Sequence, residues 1–182
     1  MRLFITVLAM IGWCAAAIAQ GDPARTLFTN VHVFDGVSGE RIENANVLVE
    51  GNLIKSVSTD PIDAAGATVI DGGGRTLMPG LIDAHVHISW VISSPYAMFD
   101  APPDYKAALM LAEAEATLMR GFTSVRDTTG QVLGAKRAID EGLFPGPRIW
   151  ASGAGISMTA GHGHFRYLST PPRQTGGLAE SE

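Results

Sequence analysis

The chain contains 182 residues, with 13 Lys and Arg against 18 Asp and Glu, which gives a formal net charge of −5. The length excludes a complete (β/α)8 barrel, which usually needs about 250 residues. The acidic balance argues against a nucleic-acid-binding protein, because no basic stripe is available to neutralise phosphates. A single Cys excludes an intramolecular disulfide framework.

The first 19 residues predict a secretory signal peptide. Arg2 supplies a positive charge, an apolar run follows from position 3 to 18, and Ala17-Ile18-Ala19 has the small residues of a cleavage site. The run is shorter than the roughly 20 residues of a membrane-spanning helix, so cleavage is favoured over a membrane anchor. We therefore expect an exported protein, periplasmic or secreted, with no stable membrane insertion after cleavage.

Residues 25–78 predict a small antiparallel β module. Segments rich in β-forming residues alternate with turn residues, among them the two-residue hairpin connection Gly51-Asn52 and the triplet 72–74, which is all glycine. His32 lies in the middle of a predicted strand between apolar neighbours, which favours a structural role. The predicted strands are 27–34, 45–50, 53–57, 67–71 and 75–78.

Residues 79–182 predict a different organisation, in which strands alternate with helices. This alternation is typical of a parallel sheet with crossover helices, whose functional residues lie at the carboxyl ends of the strands. The predicted strands are 80–87, 122–126 and 148–152, and the predicted helices are 104–120 and 132–141.

The most informative motif is Asp83-Ala84-His85-Val86-His87, at the end of the first of these strands. Because side chains alternate along a strand, we expect Asp83, His85 and His87 to share one face. Two imidazoles at this spacing can bind one divalent ion, and neutral imidazole suits Zn²⁺. The alternative is a pair of hydrogen-bonded polar residues at a strand end.

Polar residues also follow the other two strands. His162 and His164 lie in a glycine-rich segment that could contact a substrate carboxylate or carbonyl oxygen, or could be satisfied by backbone and solvent. Arg126 and Asp127 are expected to pair with each other near the strand end. Together with Asp83, they are candidates for supporting the metal ligands.

Three segments resemble the amidohydrolase superfamily of metal-dependent hydrolases. Residues 77–87 are similar to its first barrel strand, residues 121–127 to its second, and residues 146–163 to the third strand and loop of the imidazolonepropionase-like and Xaa-Pro or Xaa-Arg dipeptidase-like branch. The resemblance implies an α/β fold with about the first three strands of an incomplete TIM barrel (79–182), preceded by part of a small β-sandwich (25–78). It therefore marks the chain as an N-terminal fragment.

The resemblance also implies a chemistry. His85 and His87 would be metal ligands, most readily of zinc, with one or two ions in the full-length protein. A metal-activated water would attack the amide bond of a small amide or dipeptide, or of a cyclic amide. The catalytic residues of the later strands cannot be placed in this sequence, so the chain alone is expected to be inactive.

Two other functions remain open at this point. A non-enzymatic exported metal binder could use four histidines, His85, His87, His162 and His164, because four imidazoles can complete a tetrahedral site. A relic interaction domain without metal is the other alternative. No nucleic-acid partner is expected, and the sequence allows an oligomer.

Overall fold

The computed structural model describes residues 23–91, 101–158, 161–163 and 178–181. The predicted signal peptide and His164 lie outside these residues. The chain divides into two compact units, Met1–Met78 and Pro79–Glu182. In the part of the chain that is described, no helix has the length and apolar character needed to cross a membrane.

The first unit contains a four-stranded sheet. Its strands are β1 (Arg25–Val33), β2 (Ile42–Glu50), β3 (Leu53–Ser58) and β4 (Thr68–Leu77). The order across the sheet is β3-β2-β1-β4, with antiparallel pairing of β1 to β2 and of β2 to β3. The pairing of β1 with β4 is parallel, so the prediction of a wholly antiparallel module is wrong. The connection 59–67 carries the chain from one edge of the sheet to the other, which lets β4 run in the direction of β1.

The glycine triplet lies inside a strand and not in a turn. The sequence predicts two short strands on either side of it, whereas β4 is continuous. A Cβ atom added at Gly72 would lie 2.2 Å from Val31 Cγ1 and 3.0 Å from the carbonyl oxygen of Asn30. The pairing of β4 with β1 is irregular at this point. Glycine is therefore required here for the close approach of two strands.

The second unit combines a parallel sheet with two helices. Its elements are β5 (Leu81–Val86), α1 (Pro103–Met119), β6 (Phe122–Asp127), α2 (Leu133–Asp140), β7 (Arg148–Ala151), β8 (Gly155–Met158) and β9 (Leu178–Ser181). Strands β5, β6 and β7 form the parallel sheet in that order, and β8 pairs with β9 in a separate parallel pair. The alternation from β5 to β7 is the one that the sequence predicts, whereas β8 and β9 were not predicted.

The core of the second unit lies between the sheet and the helices. Strand residues Val125 and Ile149 are buried there with Met110 and Ala114 of α1 and Ala135 of α2. Both helices therefore pack on the same face of the sheet. The opposite face carries exposed apolar side chains in the described residues, among them Ile82, which is 72% exposed, and Trp150, which is 54% exposed.

Candidate active site

Strand β5 contains one extra residue between Asp83 and Val86, an interval that includes His85. Asp83 pairs with Val125 of β6, and Val86 pairs with Asp127, so three steps along β5 match two steps along β6. Such a bulge shifts the alternation of side chains beyond it by one residue. Asp83 therefore shares the face of Val125, whereas His85 lies on the opposite face. The prediction that Asp83 and the histidines share one face is wrong for this reason.

Asp83 bonds to the backbone of the histidine segment. Its Oδ1 atom accepts a hydrogen bond from the backbone N–H of His85 at 3.0 Å. The register of β5 with β6 gives His85 no partner on β6, so its backbone N–H is free to bond to another acceptor. The carboxylate of Asp83 supplies that acceptor.

The rings of His85 and His87 contact each other. Their centroids lie 5.2 Å apart, and the ring planes are nearly perpendicular at 89°. With Zn–N distances of about 2.1 Å and tetrahedral angles, two histidine ligands of one ion have centroids about 5 Å apart. The observed separation thus fits a shared ion. His85 is exposed and His87 is half-buried, so the pair is accessible from solvent.

Two further side chains surround the ring of His87. The indole of Trp90 stacks on it, with centroids 4.8 Å apart and planes 22° from parallel. The Oγ1 atom of Thr128 lies 3.5 Å from Nδ1 of His87, at the outer limit of a hydrogen bond. A group beside Nδ1 leaves Nε2 as the nitrogen available to a ligand.

Asp127 is fully buried at the end of β6. Its Oδ2 atom accepts a hydrogen bond from the backbone N–H of Ile88 at 2.7 Å. Burial raises the pKa of Asp127, and the Ile88 amide and the charge of His87 offset part of that rise. The carboxylate therefore holds the chain immediately after His87.

Arg126 and Asp127 do not pair with each other as expected. Adjacent residues of a strand point to opposite faces, and the two side chains bond to different partners. Arg126 is exposed, and its Nε atom donates a hydrogen bond of 2.6 Å to the carbonyl oxygen of Ala84 in β5.

Backbone hydrogen bonds fasten the carboxyl ends of the three parallel strands together. The N–H of Thr128 donates to the carbonyl of Val86 at 3.1 Å, and the N–H of Ser152 donates to the carbonyl of Asp127 at 3.0 Å. A little further on, Gly130 N–H donates to the carbonyl of Gly153 at 3.0 Å. The histidine pair and Asp127 therefore lie at one well-bonded edge of the sheet.

His162 lies in an exposed turn after β8. The N–H of Gly163 donates to Oγ of Ser157 at 3.0 Å, which bonds the turn to that strand. Among residues 23–91, 101–158, 161–163 and 178–181, no group of three or more His, Cys, Asp or Glu side chains could hold a metal ion. Within those ranges, His162 does not join the pair His85 and His87. The predicted role of His164 falls outside the described residues.

The sequence pattern of the Amidohydrolase family matches residues 76–178, which include the histidine pair and most of the second unit. This chain belongs to the amidohydrolase family. The ochratoxinase of Aspergillus niger is 30% identical over 153 residues, which cover 80% of this chain and 32% of the ochratoxinase.

Solved structures agree with this membership. A prolidase complexed with N-methylphosphonate-L-proline superposes with a TM-score of 0.75 at 36% identity, over 83% of this chain and 37% of that one. A Xaa-Pro dipeptidase with methionine in its active site gives a TM-score of 0.65 at 30% identity, over 76% of this chain and 36% of that one. This amidohydrolase chain spans about a third of the length of the relatives it matches.

Sequence reasoning missed two residues of this amidohydrolase site. Trp90 stands three positions after His87, and Thr128 directly follows the end of β6. Both lie just beyond the carboxyl end of a strand, the position at which functional residues of α/β folds concentrate. A search restricted to titratable side chains passes over an indole and a hydroxyl, although position alone could have selected them.

Proposed function

We propose that this chain is part of a metal-dependent hydrolase that cleaves the amide bond of a dipeptide-like substrate. Amidohydrolase membership supports hydrolysis of carbon–nitrogen bonds. The pairing of His85 with His87 at the carboxyl end of β5 carries the metal dependence, because the ring separation matches two ligands of one ion. The similarity to a prolidase and a Xaa-Pro dipeptidase supports the dipeptide class.

In this proposal, His85 and His87 hold one divalent ion, most readily zinc, of the one or two ions in a full-length protein. The ion would supply a water of lowered pKa for attack on the amide carbonyl. Trp90 and Thr128 orient the ring of His87, whereas Asp83, Arg126 and Asp127 bond to the neighbouring backbone. His162 and His164 remain candidates for substrate contact.

We further propose that the second unit is the beginning of a (β/α)8 barrel and that the first unit is part of a β-sandwich. The parallel sheet with helices on one face supports the barrel assignment. Two metal ligands do not make a catalytic site, so the 182-residue chain is proposed to need the rest of such a barrel for turnover. Export to the periplasm or the outside remains a proposal that rests on the first 19 residues.

Metal binding by paired variants tests the core of this proposal. Zn²⁺ binding to the whole chain, measured by isothermal titration calorimetry, should weaken by at least about tenfold in His85→Ala and in His87→Ala. His32→Ala is the matched control, because His32 lies in the first unit and its Nδ1 contacts the carboxylate of Glu43. Equal affinity in all four proteins would contradict the metal site.

The reading frame beyond Glu182 tests the catalytic part. A continuation that supplies a Lys, two His and an Asp at barrel spacing should yield a product that cleaves Xaa-Pro or Xaa-Arg dipeptides. Replacement of His85 by Ala in that longer product should abolish the cleavage. A longer product that binds zinc but cleaves none of these dipeptides would contradict the substrate class and leave the metal site intact.

A further inference from the structure

Three charged side chains bond to the backbone around the histidine pair, and none of them bonds to an imidazole in the hydrogen bonds that the described residues show. Asp83 Oδ1 accepts the N–H of His85 at 3.0 Å, and Arg126 Nε donates to the carbonyl of Ala84 at 2.6 Å. On the other side of the pair, Asp127 Oδ2 accepts the N–H of Ile88 at 2.7 Å. The bonded backbone groups lie immediately before and after the segment that carries the two rings.

We propose that Asp83, Arg126 and Asp127 are positioning residues that hold residues 84–88 at both ends and so fix the two imidazoles in a geometry ready for one ion. This proposal rests on the proposed function, because it assigns a purpose to the fixed histidine pair. It goes beyond that function because these side chains act by bonding to backbone atoms, and not by contacting the metal or the substrate.

The bulge in β5 explains why such a device is needed. Regular pairing would hold every second N–H and C=O of β5 against β6, but the extra residue between Asp83 and Val86 breaks that ladder. The register therefore gives residues 84 and 85 no partner on β6, whereas Val86 between the two histidines remains paired with Asp127. Hydrogen bonds from nearby side chains can satisfy backbone groups that have no partner in the ladder.

Asp127 is the strongest of the three restraints. It is fully buried, and the carbonyl of the same residue accepts the N–H of Ser152 from the strand on the other side. The backbone of Asp127 is thus bonded to the residue after β7, and its buried carboxylate is bonded to the residue after His87. The hydrogen bond from Ile88 N–H to this carboxylate therefore fixes the backbone next to His87 relative to the sheet.

The probe is the Cu²⁺ complex of iminodiacetate, which leaves positions open for two imidazoles. Cu²⁺ binds nitrogen ligands most tightly in its series, so the pair can be measured without further protein ligands. We expect the Asp127→Ala and Asp83→Ala variants to bind the Cu²⁺ complex about 10- to 100-fold more weakly than the wild-type chain. Asp127→Asn keeps an oxygen acceptor for Ile88 and should stay within about threefold.

Amide hydrogen exchange measures the restraint without any metal. The amides of His85 and Ile88 should be protected in the unchanged chain, and each should exchange at least tenfold faster when its own aspartate becomes alanine. Exchange in α1 and α2 of the second unit reports whether the substituted unit remains folded. Asp140→Ala is the matched control, because Asp140 is an exposed carboxylate on α2 that accepts a hydrogen bond from Lys136 Nζ.

The outcomes separate this proposal from the proposed function. If the wild-type chain does not bind the Cu²⁺ complex but protects the amides of His85 and Ile88, the metal-site proposal is contradicted and the proposed backbone restraint still stands. Tight binding by the unchanged chain and by both alanine variants overturns the restraint and retains the metal site. A tenfold loss in Asp127→Asn, equal to that in Asp127→Ala, would also overturn it, since charge and not the hydrogen bond would then be responsible.

Discussion

Gly80 determines how closely β5 approaches β6, and Gly80→Ala tests that role. A Cβ atom at this position would lie 2.0 Å from Thr123 Oγ1, 2.2 Å from Cγ2 and 2.6 Å from Cβ. Nonbonded carbon atoms normally lie about 3.5–4.0 Å apart, so the deficit at Cβ is about 1 Å. Rotation of the threonine side chain can move Oγ1 and Cγ2 but not Cβ. The backbone of one strand must therefore shift.

The expected cost follows from that geometry. Overpacking of this kind typically costs about 1–3 kcal/mol. Replacing glycine also lowers the conformational entropy of the unfolded chain, which by itself stabilises the folded state by about 0.4–1 kcal/mol. We therefore expect Gly80→Ala to lower the free energy of unfolding of the second unit by about 1–2 kcal/mol. The hydrogen bond of 2.8 Å from Leu81 N–H to the carbonyl of Gly121 lies beside the clash and should weaken with it.

Urea unfolding followed by tryptophan fluorescence is the assay. Trp90 and Trp150 both lie in the second unit, and a Trp13→Phe background removes the third tryptophan. Gly134→Ala is the matched control, because a Cβ there would meet nothing within 4 Å. Gly134 lies in α2, where alanine should be neutral or stabilise by up to about 1 kcal/mol.

A double-mutant cycle with Thr123 isolates the clash. Thr123→Gly removes all three atoms that the new Cβ would meet, so Gly80→Ala should cost at least about 1 kcal/mol less in that background. Equal stability of Gly80→Ala and Gly134→Ala would refute the reasoning. So would an undiminished cost of Gly80→Ala beside Thr123→Gly.

Three further predictions concern single positions. Gly72→Ala should destabilise the first unit by about 1–3 kcal/mol, because its Cβ would meet Val31 Cγ1 at 2.2 Å; thermal unfolding checks this, with Gly39→Ala in open space as the control. Hydrogen bonds from the Ser38 hydroxyl and from the amides of Val37 and Ser38 lower the pKa of Asp35 to about 2. The stability that these hydrogen bonds to the carboxylate contribute should therefore be lost as the pH falls from about 4 towards 2. Carboxyl NMR titration should show a higher pKa for Asp35 in Ser38→Ala, and an unchanged value would contradict the hydrogen bond. Burial raises the pKa of Asp127, so the stability that its neutral form contributes should be lost as the pH rises through the folded-state pKa. Asp127→Asn should flatten that part of the stability profile measured by urea unfolding, and an unaltered profile would count against the burial effect.

The elements of the second unit could be predicted because local signals coincide there. The helix predicted for 104–120 is observed as Pro103–Met119, and the strand predicted for 122–126 as Phe122–Asp127. Helix-forming residues, a glycine at the helix end and a run of β-forming residues all indicate the same boundaries. The histidine pair could be selected for the same reason, since its strand end follows from that alternation.

The pairing partners could not be predicted, because they depend on contacts distant in sequence. The triplet at 72–74 reads locally as a turn, yet Gly72 serves the close approach to Val31 in another strand. Likewise, nothing near Asp83 shows that β5 gains one residue relative to β6. Turn and alternation rules describe a strand by itself, whereas register is set by its neighbours.

The direction of the two imidazoles follows from burial of the apolar residues between and after them. Ile88 is fully buried, and Val86 packs against the same core, so both point towards the helices. His85 alternates with Val86 in β5 and therefore points to the open face. His87 follows the end of the strand, and its ring contacts that of His85 with centroids 5.2 Å apart, so it lies beside it. The bulge has a cost, because it turns Ile82 to the exposed side instead of the core. Burial of Val86 and Ile88 and the hydrogen bond from Ile88 N–H to Asp127 both offset that cost. The same burial directs both imidazole rings to the same side.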